Sequence, residues 1–151
     1  MNSDVVRIVQ VTGPDREVVA RELLAGAEPV HRQLRPGAPT DYAARMGAIF
    51  RQGGEMVVAM RRERVVGLAV FRVFENTHAG RRFYVDDLVT DETHRSSGIG
   101  AALLRYLEVE ARARGCAAVE LESGSQRLAA HRFYFREGFV ITGFSFKKEL
   151  R

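Results

Sequence analysis

The sequence predicts a mixed α/β fold, and three observations carry that reading. Runs rich in β-branched and aromatic residues alternate with segments of helical apolar spacing, in the order strand, helices, hairpin, strand, helix, strand, helix, strand. Residues 83–90, a strand-like run, lead through a glycine-rich turn straight into a strong helical pattern. Length and composition complete the argument: 151 residues, 46% hydrophobic and 28% charged, are enough for one core and too few for two ordinary ones. Residues 1–151 are therefore expected to form a single domain.

Each element has its own signal. Residues 5–11, mostly valine and isoleucine, form a first strand closed by Gly13 and Pro14. Residues 15–24 place Val18, Val19, Leu23 and Leu24 at helical spacing, while residues 26–39 hold three of the four prolines and read as loop or broken helix. A second helix is expected over 41–52, stopped by Gly53 and Gly54. Residues 55–60 and 64–74 form a hairpin, 75–81 a polar loop and 82–90 a fourth strand. From 98 to 114, Ile99, Ala102, Leu103, Tyr106 and Val109 share one face of a helix; Arg112 and Arg114 suit its negative end and Gly115 stops it. Val119 and Leu121 alternate with Glu120 and Glu122 in a fifth strand. Ser125 is the expected cap of a last helix ending before Gly138, and residues 139–150 are expected to supply one or two closing strands.

Composition narrows the functional classes. The net charge of +4 comes from 21 arginines against two lysines, scattered through every element and interleaved with glutamate. A nucleic-acid surface would concentrate them beside stacking aromatics, so the excess reads as solvated surface and no nucleic-acid partner is expected. No apolar stretch approaches the roughly 20 residues that span a bilayer. The start, Met1 to Asp4, lacks the basic-then-apolar layout of a signal peptide, so a cytoplasmic protein without a membrane partner is expected. The single cysteine, Cys116, follows Gly115 at the start of an apolar strand and reads as a small buried hydrophobe, not a nucleophile; no metal-ligand cluster occurs.

The most informative segment is Arg95-Ser96-Ser97-Gly98-Ile99-Gly100-Ala101. A strand feeding a glycine turn that opens a helix aims several unpaired N–H groups at one spot, reinforced by the helix dipole, and such a spot holds phosphate. Two nucleotide motifs fail on spacing. A dinucleotide fingerprint needs a third glycine where Leu103 stands, and a triphosphate loop needs a Gly-Lys pair that is absent from the chain.

The order Arg-x-x-Gly-x-Gly after a strand resembles instead the pyrophosphate loop of the GCN5-related N-acetyltransferases. Residues 130–139, Ala-His-Arg-Phe-Tyr-Phe-Arg-Glu-Gly-Phe, resemble that family's late helix and the Gly-Phe that follows it. The resemblance implies a mixed, mostly antiparallel twisted sheet splayed between strands 4 and 5, with about four helices and acetyl-CoA as co-substrate in the gap. It implies that Arg95, Ser96, Ser97, Gly98, Ile99, Gly100 and Ala101 bind the pyrophosphate. Leu88, Val89 and Thr90 would pair with the pantetheine arm, the Val89 amide also polarising the acetyl carbonyl. Serines at 96 and 97 replace residues common in the family, leaving the backbone donors unaffected.

Transfer to an amine needs a base and an acid. Tyr134 matches the family's tyrosine near the coenzyme sulfur, and a phenol suits protonation of the departing thiolate; packing beside Phe133 and Phe135 is the competing reading. Residues 83–88 resemble the same strand of spermidine/spermine-type acetyltransferases, which makes Asp86 the first choice for base and Asp87 the reserve. Alternation sends the two carboxylates to opposite faces, and ion pairing of one or both with nearby arginines such as Arg81 or Arg82 is the alternative. His131 is left outside the catalytic set, and Arg127 replaces an asparagine common in the family. The implied function is an acetyl-CoA-dependent N-acetyltransferase acting by direct attack in a ternary complex. Its acceptor is a primary amine of a small cationic molecule or a protein, hinted at by the acids Asp86, Asp87, Glu120 and Glu122. A catalytically inactive acyl-CoA sensor and a nucleic-acid module are the rivals. Dimerisation is common in the family, with the closing strand as an available edge, and the sequence leaves homodimer and monomer open.

Overall fold

The computed structural model describes residues 4–151; Met1 to Ser3, on which part of the signal-peptide reading rests, lie outside the described residues. The chain divides into two compact units, Met1–Glu120 and Leu121–Arg151. Strands β1 (Arg7–Gln10), β2 (Glu55–Arg61), β3 (Arg64–Asn76), β4 (Gly80–Thr90) and β5 (Val119–Leu121) form one sheet in sequence order. The first four are antiparallel neighbours. A crossover through α3 (Ile99–Ala113) makes β5 parallel to β4. This is the mixed, mostly antiparallel sheet that the sequence predicts.

Alternation along the strands buries both faces of the sheet. On one, Met56, Val58, Met60, Leu68, Val70 and Val89 pack with Leu24, Ala27 and Val30 of α1 (Arg21–Leu34) and with Tyr42, Met46 and Phe50 of α2 (Tyr42–Arg51). On the other, Val57, Ala69, Phe71, Phe83 and Val85 are buried, as are Ile99, Leu103, Leu104 and Leu107 of α3. Phe71 and Phe83 stack with centroids 4.8 Å apart. Each buried valine, leucine, isoleucine, phenylalanine or methionine among these side chains contributes about 1.5–3 kcal/mol through removal from water. The far end of α3 is tied to β2 by Arg114, whose guanidinium donates to both oxygens of Glu55 at 2.6 and 3.0 Å and to Glu110 at 3.1 Å.

The first helix departs from expectation at both ends. Residues 13–19 fold into a turn: Arg16 adopts φ +62°, Gly13 N–H donates to Glu17, and Val18 bridges back to Thr12, so the chain becomes helical only at Arg21. The helix then runs through Pro29 to Leu34. Pro29 removes one backbone hydrogen bond, but the buried stripe Leu24, Ala27, Val30, His31 spans it and holds the helix together.

In the second unit, α4 (Leu128–Arg136) begins after a turn closed by the backbone bonds Arg127 N–H to Gly124 and Leu128 N–H to Gln126. Its N-cap position is Arg127, so Ser125 lies too far upstream to cap it. Residues 139–151 form no strand. Phe144, Phe146 and Leu150 are 85–95% exposed, so the expected closing strands lack the apolar burial that would hold them.

Gly67 sets how closely α3 approaches the sheet. A Cβ there would lie 2.8 Å from Ile99 Cγ2, 3.1 Å from the Val89 carbonyl and 3.2 Å from Leu103 Cδ1. Gly67→Val should therefore cost about 1–3 kcal/mol by overpacking, read as a lower urea midpoint with an unchanged slope.

Candidate active site

The segment from Gly98 to Ala102 has the geometry of an anion cradle. Gly98 caps α3 at φ +79°, a conformation that costs a side-chain-bearing residue about 1 kcal/mol or more. The Ala102 amide donates the first intrahelical bond, to the Gly98 carbonyl at 3.0 Å. The amides of Ile99, Gly100 and Ala101 precede it and so have no intrahelical acceptor. The first turn holds no acidic side chain that would occupy the positive end of the dipole. Ser96 is itself left-handed at φ +61°. Ser97 turns its hydroxyl back onto the His94 carbonyl, so of the two serines Ser97 is engaged within the loop. Upstream, Asp91 accepts from Thr93 N–H and donates its own N–H to the Val66 carbonyl, fixing the exit from β4.

The middle of β4 differs from the sequence reading in a way that matters for chemistry. Val70 of β3 pairs with Asp87 and Phe71 with Val85, which leaves Asp86 as the extra residue of a β-bulge. The bulge breaks alternation, so both carboxylates lie on the face shared with Val70 and Arg72, not on opposite faces. Asp86 accepts from Arg72 at 2.7–2.8 Å. Asp87 accepts from His31 Nε2 at 2.8 Å and from Arg35 at 2.6 and 2.9 Å, while Arg35 also donates to the Asp86 carbonyl at 3.3 Å. His31 is buried, and its Nδ1 lies 2.8 Å from the Tyr42 hydroxyl, giving a continuous chain Tyr42, His31, Asp87, Arg35. The ion-pair alternative raised for both acids holds, with Arg72 and Arg35 as partners in place of Arg81 or Arg82. Arg82 instead bonds Glu120 at 2.8 Å and lies 4.7 Å above the Tyr84 ring.

Burial acts to raise the Asp87 pKa, but the hydrogen bonds from His31 and Arg35 outweigh it and hold the carboxyl below its ordinary value of 3.8. Burial, together with the charges of Glu28 and Asp87, pushes the Tyr42 phenol well above its ordinary range. His31 and Arg35 escape sequence reading because they lie in the proline-bearing segment read as loop or broken helix. The signal that finds them is the continuation of the Leu24, Ala27 stripe to Val30 and His31 at helical spacing.

In the second unit, the Tyr134 ring sits 5.5 Å from Phe133 and 5.6 Å from Phe139, and burial raises its phenol above 10.0, with Arg127 partly opposing. It is therefore a protonated donor at neutral pH. His131 spends its Nε2 on the Gly124 carbonyl at 2.8 Å. Cys116 is 8% exposed with its thiol pKa raised by burial, the state of an inert thiol. Among the described residues no cluster with metal-binding composition occurs, and no helix is long and apolar enough to cross a membrane.

Fold and helix start together define a mixed α/β protein whose α3 opens on a left-handed glycine with amides that lack an intrahelical acceptor. The acetyltransferase (GNAT) family model matches residues 20–139, and the chain belongs to that family as an N-acetyltransferase. A Bacillus subtilis protein described as an uncharacterized N-acetyltransferase is 33% identical over 138 residues, which cover 88% of this chain and 96% of that one. The aminoalkylphosphonate N-acetyltransferase of Salmonella typhimurium is 37% identical over 94 residues, 62% of this chain and 61% of that one. An aminoglycoside N-acetyltransferase crystallised with CoA shares the fold at a TM-score of 0.83 and 16% identity, over 98% of this chain and 96% of that one.

The depressed Asp87 pKa predicts a pH signature. Its stabilisation is present above the unfolded value of 3.8 and is lost as pH falls through the lower folded value. Asp87→Asn should lose about 1–3 kcal/mol of stability at pH 7, with the gap to the parent narrowing as pH falls below 3.8 and through the lower folded value, measured by circular dichroism in denaturant across that acid range.

Proposed function

We propose that the protein moves the acetyl group of acetyl-CoA to a primary amine by direct attack within a ternary complex. The single observation that carries this reading is the set of free amides of Ile99, Gly100 and Ala101 at a helix start without an acid of its own. In this proposal the coenzyme pyrophosphate rests on residues 95–101. Its pantetheine arm runs along Leu88, Val89 and Thr90, and the Val89 amide polarises the acetyl carbonyl and stabilises the oxyanion.

The amine arrives as an ammonium with a pKa near 10.4 and must lose a proton before it attacks. Asp86, on the bulge and oriented by Arg72, is the proposed acceptor of that proton. The amine nitrogen then bonds to the acetyl carbon, the carbon–sulfur bond breaks as Tyr134 donates its proton to the departing thiolate, and the second proton shed by the nitrogen as the amide forms restores the Tyr134 phenol. Family membership, the relatives' activities and the raised Tyr134 pKa support these roles. Asp87, committed to His31 and Arg35, serves as a support for the strand and not as the base.

Release of CoA thiol that depends on added amine is the expected behaviour; binding of acetyl-CoA without such release would define a sensor instead. Tyr134→Phe should lower turnover by about 10²-fold or more while calorimetric affinity for CoA stays within about twofold of the parent, and unchanged turnover would remove it from the mechanism. Asp86→Asn should lower kcat/KM by a similar factor. Gly98→Val should weaken CoA binding several-fold through the left-handed position it occupies.

A further inference from the structure

The face of the sheet that carries Asp86 is not an acidic surface. Arg72 pairs with Asp86, Arg35 with Asp87 and Arg82 with Glu120. Each named carboxylate is thus matched by a guanidinium, and the side chains of Arg35, Arg72 and Arg82 remain 56%, 34% and 29% exposed. Arg82 is held between the rings of Phe74, 5.8 Å away, and Tyr84, 4.7 Å away. The guanidiniums are therefore ordered groups with unused donors, since one carboxylate cannot occupy all five N–H groups of an arginine.

A polycationic acceptor needs an excess of negative charge, and the three pairs of Asp86, Asp87 and Glu120 with arginine offer none. The face fits a molecule with one charge of each sign: the amine beside Asp86, the anion on the guanidiniums of Arg72 and its neighbours, where planar donors match carboxylate or phosphonate. We infer that the acceptor is a small zwitterion, an amine carrying a carboxylate or phosphonate within a few bonds, with Arg72 as a specificity-determining residue. This deepens the proposed N-acetyl transfer and rests on it. It also reverses the sequence-level hint of a purely cationic amine, because the arginine partners supplied by β3 and α1 cannot be read from the acids alone.

The test is a set of matched acceptors at fixed acetyl-CoA, followed by thiol release: 2-aminoethylphosphonate, 3-aminopropionate, propylamine and spermidine. The parent should use one or both anion-bearing amines with kcat/KM at least tenfold above propylamine and spermidine, and the better of the two tells phosphonate from carboxylate. In Arg72→Gln that ratio should fall at least tenfold, mainly through KM for the anionic acceptor. Arg82→Gln supplies the same measurement if Arg72→Gln fails to fold. Equal or better use of spermidine or propylamine by the parent, or a ratio unmoved by both variants, overturns the inference while leaving acetyl transfer intact. Absence of turnover with every amine, despite CoA binding by calorimetry, overturns the transferase reading and the inference together.

Discussion

The extra residue in β4 is the constraint on which the candidate site depends. A regular strand would place Asp86 and Asp87 on opposite faces and send one of them into the apolar layer around Phe71 and Phe83, where an unpaired charge is costly. The bulge brings both to one face, and α1 supplies His31 and Arg35 to hold Asp87. Asp87 is thereby fixed to a helix that is itself buried against the sheet through Leu24, Ala27 and Val30. Beyond the bulge, Leu88, Val89 and Thr90 continue in register against Ala69, Leu68 and Gly67 of β3.

How much of this is legible in the sequence differs by element, and the difference is physical. The turn 95–101 is legible because its chemistry is local: glycine at a left-handed helix cap and apolar spacing immediately after it are properties of consecutive residues. The hairpin and the long helix are legible for the same reason. The bulge is not, since it is a property of two strands in register and neither strand alone encodes it. The first helix is hidden by Pro29, whose local preference is overridden by burial of a stripe on both sides of it. The expected strands after Gly138 fail in the opposite sense: their alternating sequence is suited to a ladder, but residues 139–151 lie exposed and unpaired as strands.

Site residues follow the same division. Asp86 and Tyr134 are proposed from motif, and the fold sets one against Arg72 and leaves the other half-buried beside the rings of Phe133 and Phe139. Arg72, Arg35 and His31 carry no motif at all; they become visible only when strand register and helix length bring them to the acids. Candidate groups are therefore proposed from sequence one at a time, whereas the charge balance among them is a tertiary property.

One feature of the core bears on how such an enzyme is handled at the bench. The sole sulfhydryl of the polypeptide, Cys116, is covered and weakly acidic, its amide tied to the Ala111 carbonyl at the end of α3. An aromatic disulfide dye added to the native protein consequently meets almost no protein-derived colour, so continuous spectrophotometric assays proceed against a quiet background, and the same dye becomes a probe of unfolding once denaturant exposes that position.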